Sequence, residues 1–198
     1  MGFDLDAWER TADEILAEAA RRKEAGVGPD LTLKSLHPAS ARLLFNAALA
    51  TSARRILEVG TSAGYSTLWL GRAAVENGAL VLSLEVKPDF AAMAQENVEK
   101  AGLSDYVTVE TCDALEFLPA ICAKADFDFV FIDAEKNQYR AYFDLIWPHV
   151  EVRGSVFADN VISHSDALAG YIKHVRELAD AVTDTVNIGN GLEWTVKI

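Results

Sequence analysis

From residue 56 onward, short apolar runs alternate with helix-like stretches, and that alternation limits what the chain can become. The runs fall at 56–59, 80–84, 107–109, 127–132 and 155–158. Between them, segments 66–75, 90–101, 114–120, 137–146 and 165–178 carry apolar residues at helical spacing. Strands alternating with helices at this interval predict βαβ units and a buried, mostly parallel sheet. Phe129, Val130, Phe131 and Ile132 are consecutive apolar residues, as a central strand covered on both faces requires. The pattern changes at the end, where β-prone stretches 181–186 and 192–197 flank Asn187-Ile188-Gly189-Asn190-Gly191. Asn190-Gly191 is a hairpin signal, so the last two of seven strands are expected to be antiparallel neighbours.

Two helices precede the sheet. Trp8, Ala12, Ile15, Leu16 and Ala19 mark the first, which ends near Gly26. Gly26-Val27-Gly28-Pro29-Asp30 reads as a linker, and the second helix follows His37-Pro38 with Leu43, Leu44, Ala47 and Ala48. The organisation expected is one domain over 1–198, with a helical cap at 1–50 and an α/β core at 51–198.

Composition narrows the partners. Of the 198 residues 51% are hydrophobic, enough for a sizeable core, and 24% are charged, which argues against wholesale disorder. Against 18 Lys+Arg stand 30 Asp+Glu, a net charge of −12 that repels phosphate backbones and anionic membranes. Neither nucleic acid nor membrane is an expected partner. Cys112 and Cys122 have neither disulfide-framework nor zinc spacing and read as small buried hydrophobes. The amino terminus lacks a signal-peptide pattern, and Asp6 stands where myristoylation after Gly2 needs Ser or Thr. Apolar runs fall short of the ~20 residues that span a bilayer. A cytoplasmic protein acting on a small molecule is the expectation.

Chemistry gathers at the first crossover. The first strand runs into Glu58-Val59-Gly60-Thr61-Ser62-Ala63-Gly64-Tyr65-Ser66 and then a helix. Gly60 and Gly64 suit a tight turn and close approach to a ligand. Glu85 ends the second strand, 21 residues after Gly64, where an acid suits the two hydroxyls of a ribose. Asp113, after the third strand, is placed to meet an adenine amino group. The glycine spacing is G-x-x-x-G, not the G-x-G-x-x-G of dinucleotide sites, and Glu58 would repel a diphosphate. A carboxylate there suits the cationic sulfonium and amino group of S-adenosylmethionine.

Taken together, Glu58-x-Gly60-x-x-x-Gly64-Tyr65-Ser66, Glu85, Asp113-Ala114, Asp133-Ala134-Glu135-Lys136-x-x-Tyr139 and Asp159-Asn160 resemble the class I S-adenosylmethionine-dependent O-methyltransferases. The resemblance is closer to the catechol and caffeoyl-CoA type and runs from about Leu31 to Lys197. It implies a Rossmann-like, doubly wound sheet of seven strands, mostly parallel, with an antiparallel carboxyl-terminal hairpin and extra amino-terminal helices. It also implies that Glu85 takes the ribose hydroxyls, that Gly60, Thr61, Ser62, Gly64, Tyr65 and Ser66 line the methionine portion, and that Asp113 and Ala114 flank the adenine. Glu58 and Asp133 complete the expected cofactor set. Homodimerisation is expected on the same ground, through the apolar face of the first helix around Trp8 and Ile15.

Two further strand ends deliver Asp133 and Asp159-Asn160. Two carboxylates and an amide carbonyl are hard oxygen donors, suited to magnesium or a similar divalent ion. An incomplete shell of three leaves positions for the two oxygens of a substrate diol. By the resemblance, Lys136 is the base that takes the hydroxyl proton, and the acceptor is a catechol-like or other phenolic hydroxyl compound. After Asp-Asn, relatives commonly carry a Trp-Gly segment; here the chain reads Val161-Ile162-Ser163-His164. That departure keeps a metal-independent small-molecule methyltransferase as one alternative, beside a non-catalytic S-adenosylmethionine-binding domain. His37, His149, His164 and His174 have no ligand spacing, and Ser163-x-x-Asp166 reads as a helix cap.

Overall fold

The computed structural model describes residues 3–28 and 30–198. The readings placed on Met1, Gly2 and Pro29 lie outside the described residues. Two helices lead, α1 (Leu5–Glu24) and α2 (Pro38–Ala50). There follow β1 (Arg55–Val59), α3 (Tyr65–Asn77), β2 (Leu80–Glu85), α4 (Pro88–Lys100), β3 (Val107–Thr111) and α5 (Ala114–Cys122). The second half holds β4 (Phe127–Ile132), α6 (Tyr139–Ile146), β5 (Val150–Ala158), α7 (Ser165–Arg176), β6 (Ala181–Val186) and β7 (Leu192–Lys197). Local signals explain several starts. Asp4 caps α1 by accepting from Ala7 N at 3.0 Å, Pro38 opens α2 behind His37, and Asp113 caps α5 through Leu115 N at 2.8 Å.

The seven strands form one sheet in the order β3-β2-β1-β4-β5-β7-β6. The first five are parallel, and β7 lies antiparallel to both β5 and β6. This is the Rossmann-like, doubly wound sheet with an antiparallel hairpin. Side-chain alternation sends alternate residues of β4 into separate cores. Phe129 and Phe131 join the layer of α1 to α4, whereas Val130 and Ile132 join that of α5 to α7.

Two expectations change. The run at 155–158 is only the buried end of β5, which continues back to Val150. Glu151, Val152 and Arg153 are exposed, Arg153 adopts φ +70°, and the register with β4 shifts between Phe127 and Phe129. Outside the helical layers no apolar pattern is required, so the run gave no sign of this extension. The apolar face of α1 is also consumed within the chain. Trp8 and Ile15 are buried, and Trp8 Nε1 donates to Leu68 O at 2.9 Å while its ring meets Trp69 edge-on at 4.7 Å. That face holds α1 onto α3 and is not spare surface for a second copy. Among the described residues, no helix is long and apolar enough to cross a membrane.

Candidate active site

The strand order reverses between β1 and β4, and their carboxyl ends part to leave a crevice. A cavity of about 560 Å³ occupies it. Of the residues singled out from sequence, Gly60, Thr61, Ser62, Tyr65, Ser66, Glu85, Asp113, Ala114, Asp133 and Lys136 line that cavity. Gly60 has φ +100°, and a Cβ there would stand 2.3 Å from Asp133 O. A side chain at this position would push the ends of β1 and β4 apart.

Glu85, buried at the tip of β2, accepts from Ser62 N at 2.7 Å through Oε2 and from Lys87 N at 3.0 Å through Oε1. These two bonds fix the carboxylate and leave lone pairs on both oxygens. Such an acceptor pair suits a vicinal diol. Ser62 Oγ, also at the cavity, is buried without a partner, so the cradle offers an unused polar atom to a ligand.

Two expected cofactor residues do not reach the cavity. Gly64 is the left-handed amino-terminal cap of α3, packed 3.3 Å from Ala94 Cβ as judged by an added Cβ; its part is the turn. Glu58 is fully buried beneath the loop, because it shares the strand face of Ile56 and points into the α3 layer. Its Oε2 accepts from Thr67 Oγ1 and Ser83 Oγ, each at 2.5 Å, and Ser83 Oγ lies 2.6 Å from Thr61 Oγ1. Glu58 therefore ties β1, β2, α3 and the loop together instead of meeting a ligand. Burial, with a smaller contribution from the Asp133 charge, pushes its carboxyl up to about 7 against the hydrogen bonds that favour ionisation.

The oxygen cluster is assembled from the ends of β4 and β5. Asp133 Oδ1 accepts from Lys136 Nζ and from Asn160 Nδ2, each at 2.8 Å, and Asn160 Nδ2 also donates to Asp159 Oδ2 at 2.9 Å. Asn160 reaches both carboxylates from a left-handed conformation, φ +69°, which Asn tolerates better than most residues. Asp159 and Asn160 do not line the cavity and join it through Asp133. Asp159 is held well above the usual carboxylate range by burial first and the Asp133 charge second, and its Oδ1 has no partner among the described residues. A buried orphan carboxylate oxygen, a second carboxylate and an amide fit a hard divalent cation. Among the described residues no group of three or more His, Cys, Asp or Glu is placed to hold a metal ion, so any cation here would rest on two carboxylates and the Asn160 amide.

Lys136 Nζ has three acceptors, Asp133 Oδ1, Ala134 O at 3.0 Å and Tyr139 Oη at 3.0 Å. Tyr139 is fully buried, and burial raises its hydroxyl well above the ordinary value, so it stays protonated. The lysine nitrogen is thus held at a fixed point beside the cluster.

Several lining residues were not singled out individually from the sequence, although the resemblance implies closure over the cofactor by the stretch Leu31–Pro38 that holds the first of them. Thr32, Lys34, Ser35 and Leu36 form one wall from an irregular segment between α1 and α2, where no periodicity marks them. Lys87, whose Nζ meets Asp30 Oδ1 at 3.2 Å, and Phe90 close the edge beside Glu85. Gln138 and Tyr142 line the side near Asp113; their place just after Lys136 was the only available hint. The capping role read for Ser163 is also corrected. The helix α7 starts one residue later, with His164 at the cap, and Ser163 Oγ turns to His164 Nδ1 at 2.9 Å and Asn160 Oδ1 at 3.3 Å. Cys122 is a buried free thiol as expected, but Cys112 is only half-buried and lines the cavity; burial first raises both thiols, Cys112 to about 11.

Comparison with known proteins places this geometry. A family model described as O-methyltransferase matches residues 13–182. A catechol O-methyltransferase of Niastella koreensis is 38% identical over 158 residues, covering 79% of this chain and 69% of that protein. One from Mycobacterium tuberculosis is 38% identical over 159 residues with the same two shares. Among solved structures, the O-methyltransferase from Bacillus cereus in complex with SAH superimposes with a TM-score of 0.83 at 27% identity. That match covers 96% of this chain and 91% of the other.

Proposed function

The chain belongs to the O-methyltransferase family, and within it we propose methyl transfer from S-adenosylmethionine to one oxygen of a small phenolic diol. One observation carries the reading. Asp133 belongs to both halves of the site, lining the cofactor-sized cavity and accepting from Lys136 and Asn160. On this reading Glu85 receives the ribose hydroxyls, the loop 60–66 surrounds the methionine end, and Asp113 faces the base. Asp133, Asp159 and Asn160 would hold a divalent cation, probed first with magnesium. When bound, such an ion supplies positive charge that lowers the pKa of a neighbouring acceptor hydroxyl.

Acting as base, Lys136 is the neutral amine: it keeps two of its three contacts as a donor and turns its lone pair to the acceptor's hydroxyl proton, while Asp133 and Tyr139 keep the nitrogen aligned for that task. The remaining work is positioning two reactants in line, which the rigid strand ends provide. A specific observation favours a second reading, metal-independent transfer. Asn160 Nδ2 already donates to both carboxylates, so one oxygen of each is held by the cluster's own amide and, among the described residues, Asp159 Oδ1 is the buried oxygen left over.

Labelled S-adenosylmethionine with catechol, in magnesium or in excess chelator, separates these readings. Transfer that needs magnesium supports the first, and transfer undiminished by chelator supports the second. No melting shift with S-adenosylhomocysteine would overturn the cofactor assignment itself.

A further inference from the structure

Gln138 and Tyr142 line the cavity, with Tyr142 near enough to Asp113 to feel its charge, yet none of the roles assigned above uses them. Gln138 is the last residue of the turn that carries Lys136, and Tyr142 lies one helical turn on, in α6. The Tyr142 hydroxyl donates to Gln138 Oε1. That hydroxyl is pushed up to about 12 by burial first and by the charges of Asp113, Glu135 and Glu85, so it remains a donor.

With its carbonyl turned to the Tyr142 hydroxyl, the amide presents the two N–H groups of Nε2 at its other end. Asp113 is the opposite case. Its Oδ1 is committed to Leu115 N, and its other oxygen is an acceptor with no donor assigned to it. The cavity lining therefore includes a held acceptor and a held donor. Adenine offers the complement on one edge, a donating amino group beside an accepting ring nitrogen. Hypoxanthine inverts that pattern, with an accepting carbonyl beside a donating N–H.

We propose that Gln138, held the right way round by Tyr142, is a base-reading residue that with Asp113 selects adenine over 6-oxopurines. This rests on the cofactor assignment made above and names the residues that read its base. Without the Tyr142 hydroxyl, the Gln138 amide is free to turn over and offer its oxygen, so the pair acts as a unit. A cavity wall of merely the right shape would accept both bases alike, because they are nearly isosteric.

Calorimetric titration with S-adenosylhomocysteine and S-inosylhomocysteine tests the inference. The wild-type protein should prefer the adenine compound by about 100-fold, roughly tenfold for each of two hydrogen bonds. Gln138→Leu should reduce that preference about fivefold to tenfold, the worth of one hydrogen bond. Tyr142→Phe should reduce it in the same direction by less. Gln138→Glu replaces the donor with an acceptor and should move the preference toward hypoxanthine. An unchanged preference in both Gln138 variants that still bind S-adenosylhomocysteine would overturn this inference alone. Failure of the wild-type protein to bind either compound would overturn the cofactor assignment, and this inference with it.

Discussion

Asn160 Nδ2 donates across 2.8 Å to Asp133 Oδ1, so a single amide joins the end of β5 to the end of β4. The same nitrogen lies 2.9 Å from Asp159, at the focus of two carboxylates that burial has brought together. An amide has two ends, and turning this one over would present oxygen where nitrogen now stands. The cluster can thus answer to a proton donor or to a cation with the same three side chains.

Asp159→Ala should separate chemistry from cofactor binding. Asp159 lies outside the cavity lining, so S-adenosylhomocysteine affinity by calorimetry should stay within about twofold. Methyl transfer to a diol should fall at least about 100-fold, the upper end of effects seen for residues that support a metal. Substantial activity in the variant would remove Asp159 from the reaction.

Glu85→Ala should act on the cofactor. Loss of a charged acceptor for the ribose is expected to weaken binding by roughly 1.5–3 kcal/mol. It also strips Ser62 N and Lys87 N of their acceptor, so the loop itself should loosen. Unchanged affinity in a folded variant would place the ribose elsewhere.

Glu58 predicts a pH dependence of stability. Its folded-state value of about 7 lies above the ordinary 4.5 of a free glutamate, so the folded protein holds this proton more tightly than the unfolded chain. The contribution is fully present below about 4.5, declines as pH rises, and is lost above about 7. Glu58→Gln cannot ionise, so it should gain on the wild type between pH 5 and pH 8 by up to roughly 3 kcal/mol. Urea unfolding at the two pH values measures the change, and a constant difference would contradict it.

Gly60→Ala should destabilise the fold by at least about 2 kcal/mol, since it adds a left-handed strain to a clash with Asp133 O. Gly28→Ala, where an added Cβ meets nothing within 4 Å, is the matched control and should change little. Equal unfolding midpoints for the two variants would show that β1 and β4 can part at no cost.

What could be read from sequence followed from periodicity and from strand ends. Strand β4 announced itself because burial on both faces demands an uninterrupted apolar run, and Glu85 was found by its distance from Gly64. Glu58 was misjudged although strand parity held the answer. It shares the face of Ile56 and is buried in the α3 layer, whereas the crevice is lined by strand tips such as Val59 and Glu85 and by residues just beyond them, such as Asp133 after Ile132. The wall at 32–36 could be placed only as a stretch implied by the resemblance, not residue by residue, because an irregular segment is positioned by distant contacts, not by local preference. The extension of β5 to Val150 was hidden for the opposite reason, since exposed strand residues obey no apolar rule.

The position of β7 has a consequence in time. β6 precedes it in the chain but touches the sheet only through it, so β6 has no partner until residues 192–197 arrive. During synthesis, the edge of β5 from Ser155 to Ala158 waits unpaired, an aggregation hazard that a late interior strand imposes. The same arrival brings Asn190 and Gly191, whose carbonyls receive Val161, Ile162 and Ser163 N–H groups just beyond Asn160. The nascent chain can therefore assemble its cofactor half early, but the acceptor half sets only when the final strand slots in.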